Sequence, residues 1–292
     1  MTIKRRIFVT YVNIVNKLFL KQRAKMDDLS ELKKNKISLC FVTISFNNDF
    51  LIAEQIRLLK KYIIDKNFVH IIADNSTDKA KRKRIKSVCQ KENVKYVALP
   101  FNLFNKIGKL PSYSHALSLN WVYHRIIKKI KPEYFGFIDH DIFPIEPYSV
   151  IEKIGNQDFF GELHDRTPPE HKRNIWYMWA GFCFFYFDKI QSYQLNFLPC
   201  RADNIYLDSG GTNFYSLFSK YDIKKLTFCK PVVSRKIKDG NVSHDIVENV
   251  DKNNYHTIVQ YIDECWLHAG GGSNWSKKGN KDNFLKEILK QY

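Results

Sequence analysis

No stretch of about 18 consecutive apolar residues occurs in the 292-residue sequence, so nothing in it reads as a membrane-spanning helix. A cleavable secretory leader is not expected either. The apolar segment near the start is broken by Asn13, Asn16 and Lys17, and no small-x-small site follows it. The six cysteines (Cys40, Cys89, Cys183, Cys200, Cys229 and Cys265) form no C-x-x-C pair. Several lie in apolar stretches, residues 39–42 and 182–187, and read as buried reduced thiols, which argues against a disulfide scaffold and for a reducing cytoplasm. No internal repeat or low-complexity tract is found. Acidic residues are scarce, 30 against 47 Lys and Arg, for a formal charge of +17. Apolar residues are not scarce: the hydrophobic fraction of 44% and aromatic fraction of 15% exclude a disordered chain. A chain of this length buries one large core or two modest ones.

The positive charge is uneven. Residues 1–36 hold ten Lys or Arg and three Asp or Glu, so +7 of the +17 comes from about an eighth of the chain. Within that segment Ile7, Tyr11, Ile14 and Leu18 recur at helical spacing, reinforced by Phe8, Val15 and Phe19. Lys4, Arg5, Arg6, Lys17, Lys21, Arg23 and Lys25 flank or oppose them. A basic amphipathic helix of this kind suits an anionic membrane surface. The alternative is a helix packed on its own domain with a solvated basic face. Elsewhere the charge is diffuse, and the Lys-rich stretch 79–91 carries no recognised nucleic-acid module, so no nucleic-acid partner is expected.

Residues 134–144 read YFGFIDHDIFP, an aromatic and apolar run that ends in two carboxylates one residue apart. Such a run suits a buried strand, which has no cheap place for charge. Asp139 and Asp141 are therefore expected at its exit, on one side, with His140 opposite. Two hard oxygen ligands at a strand end make half of a divalent-metal site, open to phosphate oxygens. The competing reading is a solvated strand-end loop.

The rest of the pattern alternates strand and helix. Residues 37–44, 69–73 and 94–99 read as strands. Ile52, Ile56, Leu59 and Ile63 mark one helix, residues 79–91 a second, and Ala116, Leu119, Tyr123, Ile126 and Ile130 a third. This predicts a doubly wound, mostly parallel α/β sheet, in which ligands bind at the carboxyl ends of strands. From about residue 151 the pattern gives way to an aromatic-rich strand at 182–187, long polar loops and glycine clusters. Three parts follow: a basic amphipathic segment (1–36), an α/β half (37–150) and a second, loop-rich half (151–292).

Over roughly residues 37–275 the chain resembles the GT-A nucleotide-sugar glycosyltransferases, particularly the family 2 type. Four ordered pieces carry the resemblance: FVTISFNN as the opening strand and loop, IIADNSTD as the second strand and its D-x-S-x-D turn, IDHD as the D-x-D element, and WLHAGG as the late histidine. The chain departs from the family where Ile44-Ser45 replaces its usual proline, and NKIGKLPSYSHALSLN matches its next stretch only loosely. The resemblance implies a GT-A type fold with an acceptor-side extension, in which residues 37–150 form the nucleotide-sugar-binding half and residues 151–292 the acceptor-binding, catalytic half. It implies donor contacts from Thr43, Ser45, Asn47, Asp74, Ser76, Lys109, His115, Asp139 and His140, with Asp74 on the nucleobase. It further implies Mn²⁺ or Mg²⁺ held by Asp139, Asp141 and His268, the imidazole favouring Mn²⁺. His268 also reads as a buried histidine after Trp266 and Leu267, although Gly270, Gly271 and Gly272 suit close approach to a phosphate.

No Glu-Asp pair marks the catalytic base. Asp208 in IYLDSGGTNF is the candidate, with Asp203 and Asp188 in reserve, and it implies inversion at the anomeric carbon. The alternative is that Asp208 caps a helix starting near Thr212. Trp179 and Gly181 are candidate acceptor contacts, whereas Trp176 and Tyr177 read as core. His164, Asp165, Arg166 and His171 read as a solvated turn before Pro168-Pro169. The resulting expectation is metal-dependent sugar transfer from a nucleotide-diphosphate donor to a glycan or lipid-linked acceptor, in the cytoplasm or peripherally at the inner membrane face. One rival is a D-x-D phosphatase or phosphotransferase, which wants Thr where Phe143 stands. The other is a non-catalytic basic adaptor for membrane or nucleic acid.

Overall fold

The structure, a computed structural model, describes residues 3–107, 110–238, 241–248, 257–270 and 281–292. In chain order the strands are β1 (Lys25–Met26), β2 (Leu39–Ser45), β3 (Phe68–Asp74), β4 (Lys95–Ala98), β5 (Tyr134–Asp139), β6 (Ile142–Pro144) and β7 (Phe159–Asp165). They continue as β8 (Trp176–Tyr186), β9 (Cys200–Ala202), β10 (Ile205–Leu207), β11 (Val233–Lys238), β12 (Asn241–Ile246), β13 (Ile258–Ile262) and β14 (Trp266–His268). The helices are α1 (Ile3–Lys21), α2 (Ser30–Lys34), α3 (Asp49–Tyr62), α4 (Lys79–Lys91), α5 (Leu103–Ile107) and α6 (Pro111–Val122). After these come α7 (Lys128–Ile130), α8 (Val150–Ile154), α9 (Phe187–Ile190), α10 (Asn213–Ser216) and α11 (Lys281–Lys290).

Seven strands form the main sheet in the order β1-β4-β3-β2-β5-β8-β7. β4, β3, β2 and β5 run parallel, while β8 lies antiparallel to both β5 and β7. The fold is therefore the mixed α/β type the alternation predicts, with a mostly parallel sheet flanked by helices. Successive residues of one strand serve opposite layers: Ile71 and Ala73 join the core that includes α6, while Ile72 packs with Ile52 and Ile56 of α3 and Ile85 of α4. β2 is buried at every position, which is why LCFVTIS reads as one continuous apolar run. Asn48 caps α3 and Asp78 caps α4, so each helix starts at the carboxyl end of a strand.

Five strands form a second sheet in the order β12-β11-β13-β14-β6. The chain thus leaves the main sheet at Asp139 and enters the second at Ile142, with only His140 and Asp141 between. β7 and β8 add to the main sheet beside β5 and raise a wall next to that crossing.

Three local expectations change. The strand expected at 182–187 is β8, which begins six residues earlier at Trp176 and places Trp179 and Gly181 within the sheet. The helix expected through Ile130 contains a π-helical turn, Tyr123–Ile127, and ends at Lys131 in the left-handed region (φ 46°). The N-terminal helix forms, but its apolar residues divide: Val12, Val15 and Phe19 are buried, whereas Ile7, Tyr11, Ile14 and Leu18 are exposed. All six cysteines are free, and Cys40, Cys89 and Cys183 are buried. Among the described residues no helix is long and apolar enough to cross a membrane.

Candidate active site

The turn between β5 and β6 is held from below by a buried amide. Gln55 of α3 donates from Nε2 to the carbonyls of Asp139 and Ile142, both at 2.8 Å. Those two acceptors fix the orientation of the amide, and its oxygen takes the proton of Thr43 Oγ1 at 2.7 Å. Because Thr43 has only that proton to give, His70 Nε2, 2.9 Å away, is the donor to the hydroxyl. Burial pulls the His70 imidazole down to about 3, so it is neutral at ordinary pH. Thr43, expected to contact a donor, is fully buried in this supporting chain. His140 turns inward and donates from Nδ1 to the Ile44 carbonyl at 3.2 Å, which ties the turn to the end of β2.

Strand pairing brings His268 to this turn. β14 runs antiparallel to β6 with His268 opposite Ile142, and the Ala269 amide donates to the Asp141 carbonyl at 2.9 Å. His268 Nε2 then stands 3.7 Å from Asp141 Oδ1, with side-chain exposures of only 12% and 6%. From the other side α6 delivers His115, whose Nε2 lies 3.3 Å from Asp139 Oδ1. Burial pushes the Asp139 carboxyl up to about 7, and the Asp141 charge adds to the rise. Burial also pulls His115 down to about 4, against the opposing pull of Asp208 and Asp141.

Asp208 follows β10 and opens a tightly held loop. Its amide donates to Tyr177 Oη at 3.2 Å, Ser209 Oγ donates to the Ser112 carbonyl at 3.0 Å, and the Gly210 amide donates to the Phe197 carbonyl at 2.7 Å. Gly210 sits at φ 93°, and a Cβ on Gly211 would come within 2.4 Å of Leu207 Cβ. Both glycines are therefore required by the turn. The Asp208 carboxylate accepts from the Ser209 amide at 2.8 Å and from Tyr206 Oη at 3.3 Å. The helix that follows, α10, has Thr212 at its N-cap position and no side-chain capping bond, so Asp208 is not a cap. Its charge acts on His115, Asp139 and Tyr113, and the Ser209–Ser112 bond sets its loop against the first turn of α6, the helix that carries His115.

Trp179 of β8 completes the wall. Its ring centroid is 5.1 Å from that of His268, and it lies parallel to His164 at 6.2 Å with an interplanar angle of 1°. A Cβ on Gly181 would sit 2.3 Å from Trp179 Cζ2, so the indole occupies the space where that glycine has no side chain. His164, which the sequence assigns to a solvated turn, is on β7, 3.1 Å from Tyr177 Oη and 3.0 Å from Glu162. The line Glu162–His164–Tyr177 thus ends at the Asp208 amide. Gln55 and His164 are the contributors that the sequence does not announce. Gln55 has no motif, and the spacing of β7 is hidden by the polar residues after it.

At the ends of β2 and β3 the expected residues bind one another. Asp74 is fully buried. Its Oδ1 accepts from the Ser76 amide at 2.9 Å and Ser45 Oγ at 3.2 Å, its Oδ2 accepts from Tyr96 Oη at 2.7 Å, and Arg82 Nε lies 3.5 Å from Oδ2. Asn47, at φ 50°, accepts from the Thr77 and Asp78 amides, and its own amide donates to Ser76 Oγ at 2.8 Å. Asn75 Nδ2 donates to Ser114 Oγ at 3.0 Å and anchors the start of α6 to this corner. Lys109, Gly271 and Gly272 lie outside the described residues.

No family model and no curated protein matches the chain. Solved structures similar to it include the mannosyltransferase Ktr4p from S. cerevisiae, 14% identical, over 64% of this chain and 67% of that one, with a TM-score of 0.35. The mannosyltransferase PcManGT from Pyrobaculum calidifontis, in complex with GDP-Man and Mn²⁺, is 11% identical over 64% and 55% of the two chains, TM-score 0.38. The galactosyltransferase LgtC, in complex with donor and acceptor sugar analogs, is 11% identical over 53% and 60%, TM-score 0.36. The chain spans only part of the length of these structures, and overlaps this partial assign it no donor, metal or acceptor.

Proposed function

We propose that the protein is a glycosyltransferase that moves a sugar from a nucleotide-diphosphate donor to an acceptor hydroxyl on a glycan or lipid-linked carrier. One observation supports this above the rest. His115, His268 and Asp208, from distant parts of the chain, gather around Asp139 and Asp141 at the carboxyl end of a parallel strand, where α/β sheets take their ligands. Asp141 Oδ1 and His268 Nε2 offer an oxygen and a nitrogen donor 3.7 Å apart in a largely buried setting, and Asp139 stands beside them with its charge suppressed. This donor set fits Mn²⁺ or Mg²⁺. Among the described residues no group of three side chains is placed to hold a metal by itself, so the rest of the shell would come from diphosphate oxygens and water. Once bound, the ion supplies the positive charge that a departing diphosphate needs.

The side chains divide the remaining work. Asp208 takes the proton of the acceptor hydroxyl as its oxygen forms the new bond to the anomeric carbon, while the bond to the diphosphate breaks. A base facing the sugar from the side away from the diphosphate gives inversion. Trp179 offers an aromatic face for the acceptor sugar. Asn47, Ser76 and the loops they join form the rim on the nucleoside side. The phosphatase reading loses ground because Phe143, at the position where that chemistry wants Thr, is fully buried in β6 and paired with Leu267.

The test is nucleoside diphosphate release from a panel of nucleotide sugars, with Mn²⁺ and with a chelator. Release that requires the divalent ion and falls about a hundredfold or more in Asp208→Asn is the expected result. Turnover that ignores both the chelator and the substitution rules the assignment out.

A further inference from the structure

α1 carries two apolar stripes. One turns inward: Val12, Val15 and Phe19 are buried, and Phe8 meets Tyr113 of α6 edge-on at 5.4 Å. The other points away. Ile3, Ile7, Ile14 and Leu18 are 77%, 64%, 52% and 57% exposed, with Tyr11 among them at 40%. The spacing 3, 7, 11, 14, 18 draws them into one line along a single face of the helix. Large aliphatic side chains left in water in a continuous line mark a contact surface.

The flanking charge identifies what that surface fits. The 19 residues of α1 include five basic side chains (Lys4, Arg5, Arg6, Lys17 and Lys21) and no acidic one. At 100° per residue, Arg6, Lys17 and Lys21 fall along one border of the exposed stripe and Lys4 along the other. A second copy of this face would set those rows of like charge against each other. An anionic bilayer accepts both features, the aliphatic side chains in its interface and the cations among its headgroups. The field also continues past the helix: Lys25, Lys79, Arg82, Lys83 and Lys86 line a cavity of about 350 Å³ in which Asp27 is the single acidic residue.

The helix is also tied to one side of the cleft. Tyr113, in contact with Phe8, is pushed up by burial and then by the Asp208 charge, and Arg5 acts on both Tyr113 and Tyr215. Ser209 is bonded to the Ser112 carbonyl in the same turn of α6. Tyr206 and Tyr215, around the Asp208 loop, are themselves 46% and 51% exposed. We propose that the outer stripe of α1 seats the protein on an anionic lipid bilayer with the Asp208 side of the cleft turned toward the headgroups. For the reaction proposed above, this sets the acceptor entrance at the membrane surface; the seating itself stands whether or not a sugar is transferred.

Flotation with phosphatidylcholine vesicles, with and without phosphatidylglycerol, tests it on the full chain. Wild-type protein is expected to float only with the anionic vesicles and to be released by salt. The triple substitution Ile7→Glu/Ile14→Glu/Leu18→Glu, at positions more than half exposed, is expected to keep its melting temperature and to bind at least about tenfold more weakly. Arg6→Gln/Lys17→Gln/Lys21→Gln should lose the preference for anionic vesicles. Hydrogen exchange on the bound protein should show protection over residues 3–18 and 205–215. Flotation unchanged by the triple substitution, indifference to phosphatidylglycerol, or a wild-type dimer that the triple substitution dissolves overturns the bilayer as partner. Protection of α1 without the 205–215 loop overturns the orientation. Absence of sugar transfer with every acceptor counts against the enzyme reading and leaves the flotation result intact.

Discussion

At the ends of β2 and β3 the acidic and hydroxyl side chains are answered by donors and acceptors from neighbouring loops: Asp74 by Ser45, Ser76 and Tyr96, and Asn47 by Ser76, Thr77 and Asp78. One strand over, at the end of β5, two carboxylates crowd two imidazoles, and protonation is shifted: Asp139 upward, His115 downward. Both clusters occupy strand ends that a sequence reader marks as ligand sites. The first is satisfied within the protein and fixes the shape of the loops. The second holds two carboxylates together under burial, a condition that a cation would relieve.

The largest expected effect comes from Asp141→Asn. Nucleoside diphosphate release should fall about a thousandfold, while the metal-free protein melts no earlier than wild type, because one of two crowded charges is gone. Retained turnover would erase the distinction between the clusters. Gln55→Leu should come next. It leaves the Asp139 and Ile142 carbonyls without their donor and should cost about 2–4 kcal/mol in urea unfolding, with a loss of turnover as the turn loosens. Asp74→Asn sharpens the contrast: it should cost about 1–3 kcal/mol of stability with turnover nearly intact. A donor KM that rises far more than stability falls would move Asp74 into the binding site.

The smallest effect is in the pH dependence. The folded His70 pKa, about 3, lies below its ordinary value of 6.5, so its contribution to stability is present above about 6.5 and lost as pH falls toward 3. His70→Gln should therefore melt with a flatter profile than wild type across that window. Identical profiles would separate His70 from the support of the turn.

The parallel sheet was legible because its strands are buried on both faces and read as unbroken apolar runs ending in polar clusters. The two carboxylates after β5 were legible for the same reason. Other features depend on tertiary partners that periodicity does not contain. Two apolar lines run down α1, and only the position of α6 decides which of them is covered. A glutamine in the middle of α3 looks like a surface residue until the crossing chain supplies the two carbonyls that need it. β8 is longer than its apolar core because Trp176–Met178 pair with Leu163–Asp165 beyond a shift in register, where four residues of β8, 179–182, face Glu162 alone, and that irregularity left His164 looking like loop.

The bonds from Gln55 have a mechanical consequence. One reaches the last residue of β5 in the main sheet and the other the first residue of β6 in the second sheet, so a single amide rivets two layers at the point where the chain passes between them. Asp139 stays with one layer and Asp141 departs toward the other. Any rocking of one layer against its neighbour changes the gap between those carboxylates. A ligand that draws them together clamps the seam in return, out along β14 and β13 to the β11–β12 ribbon.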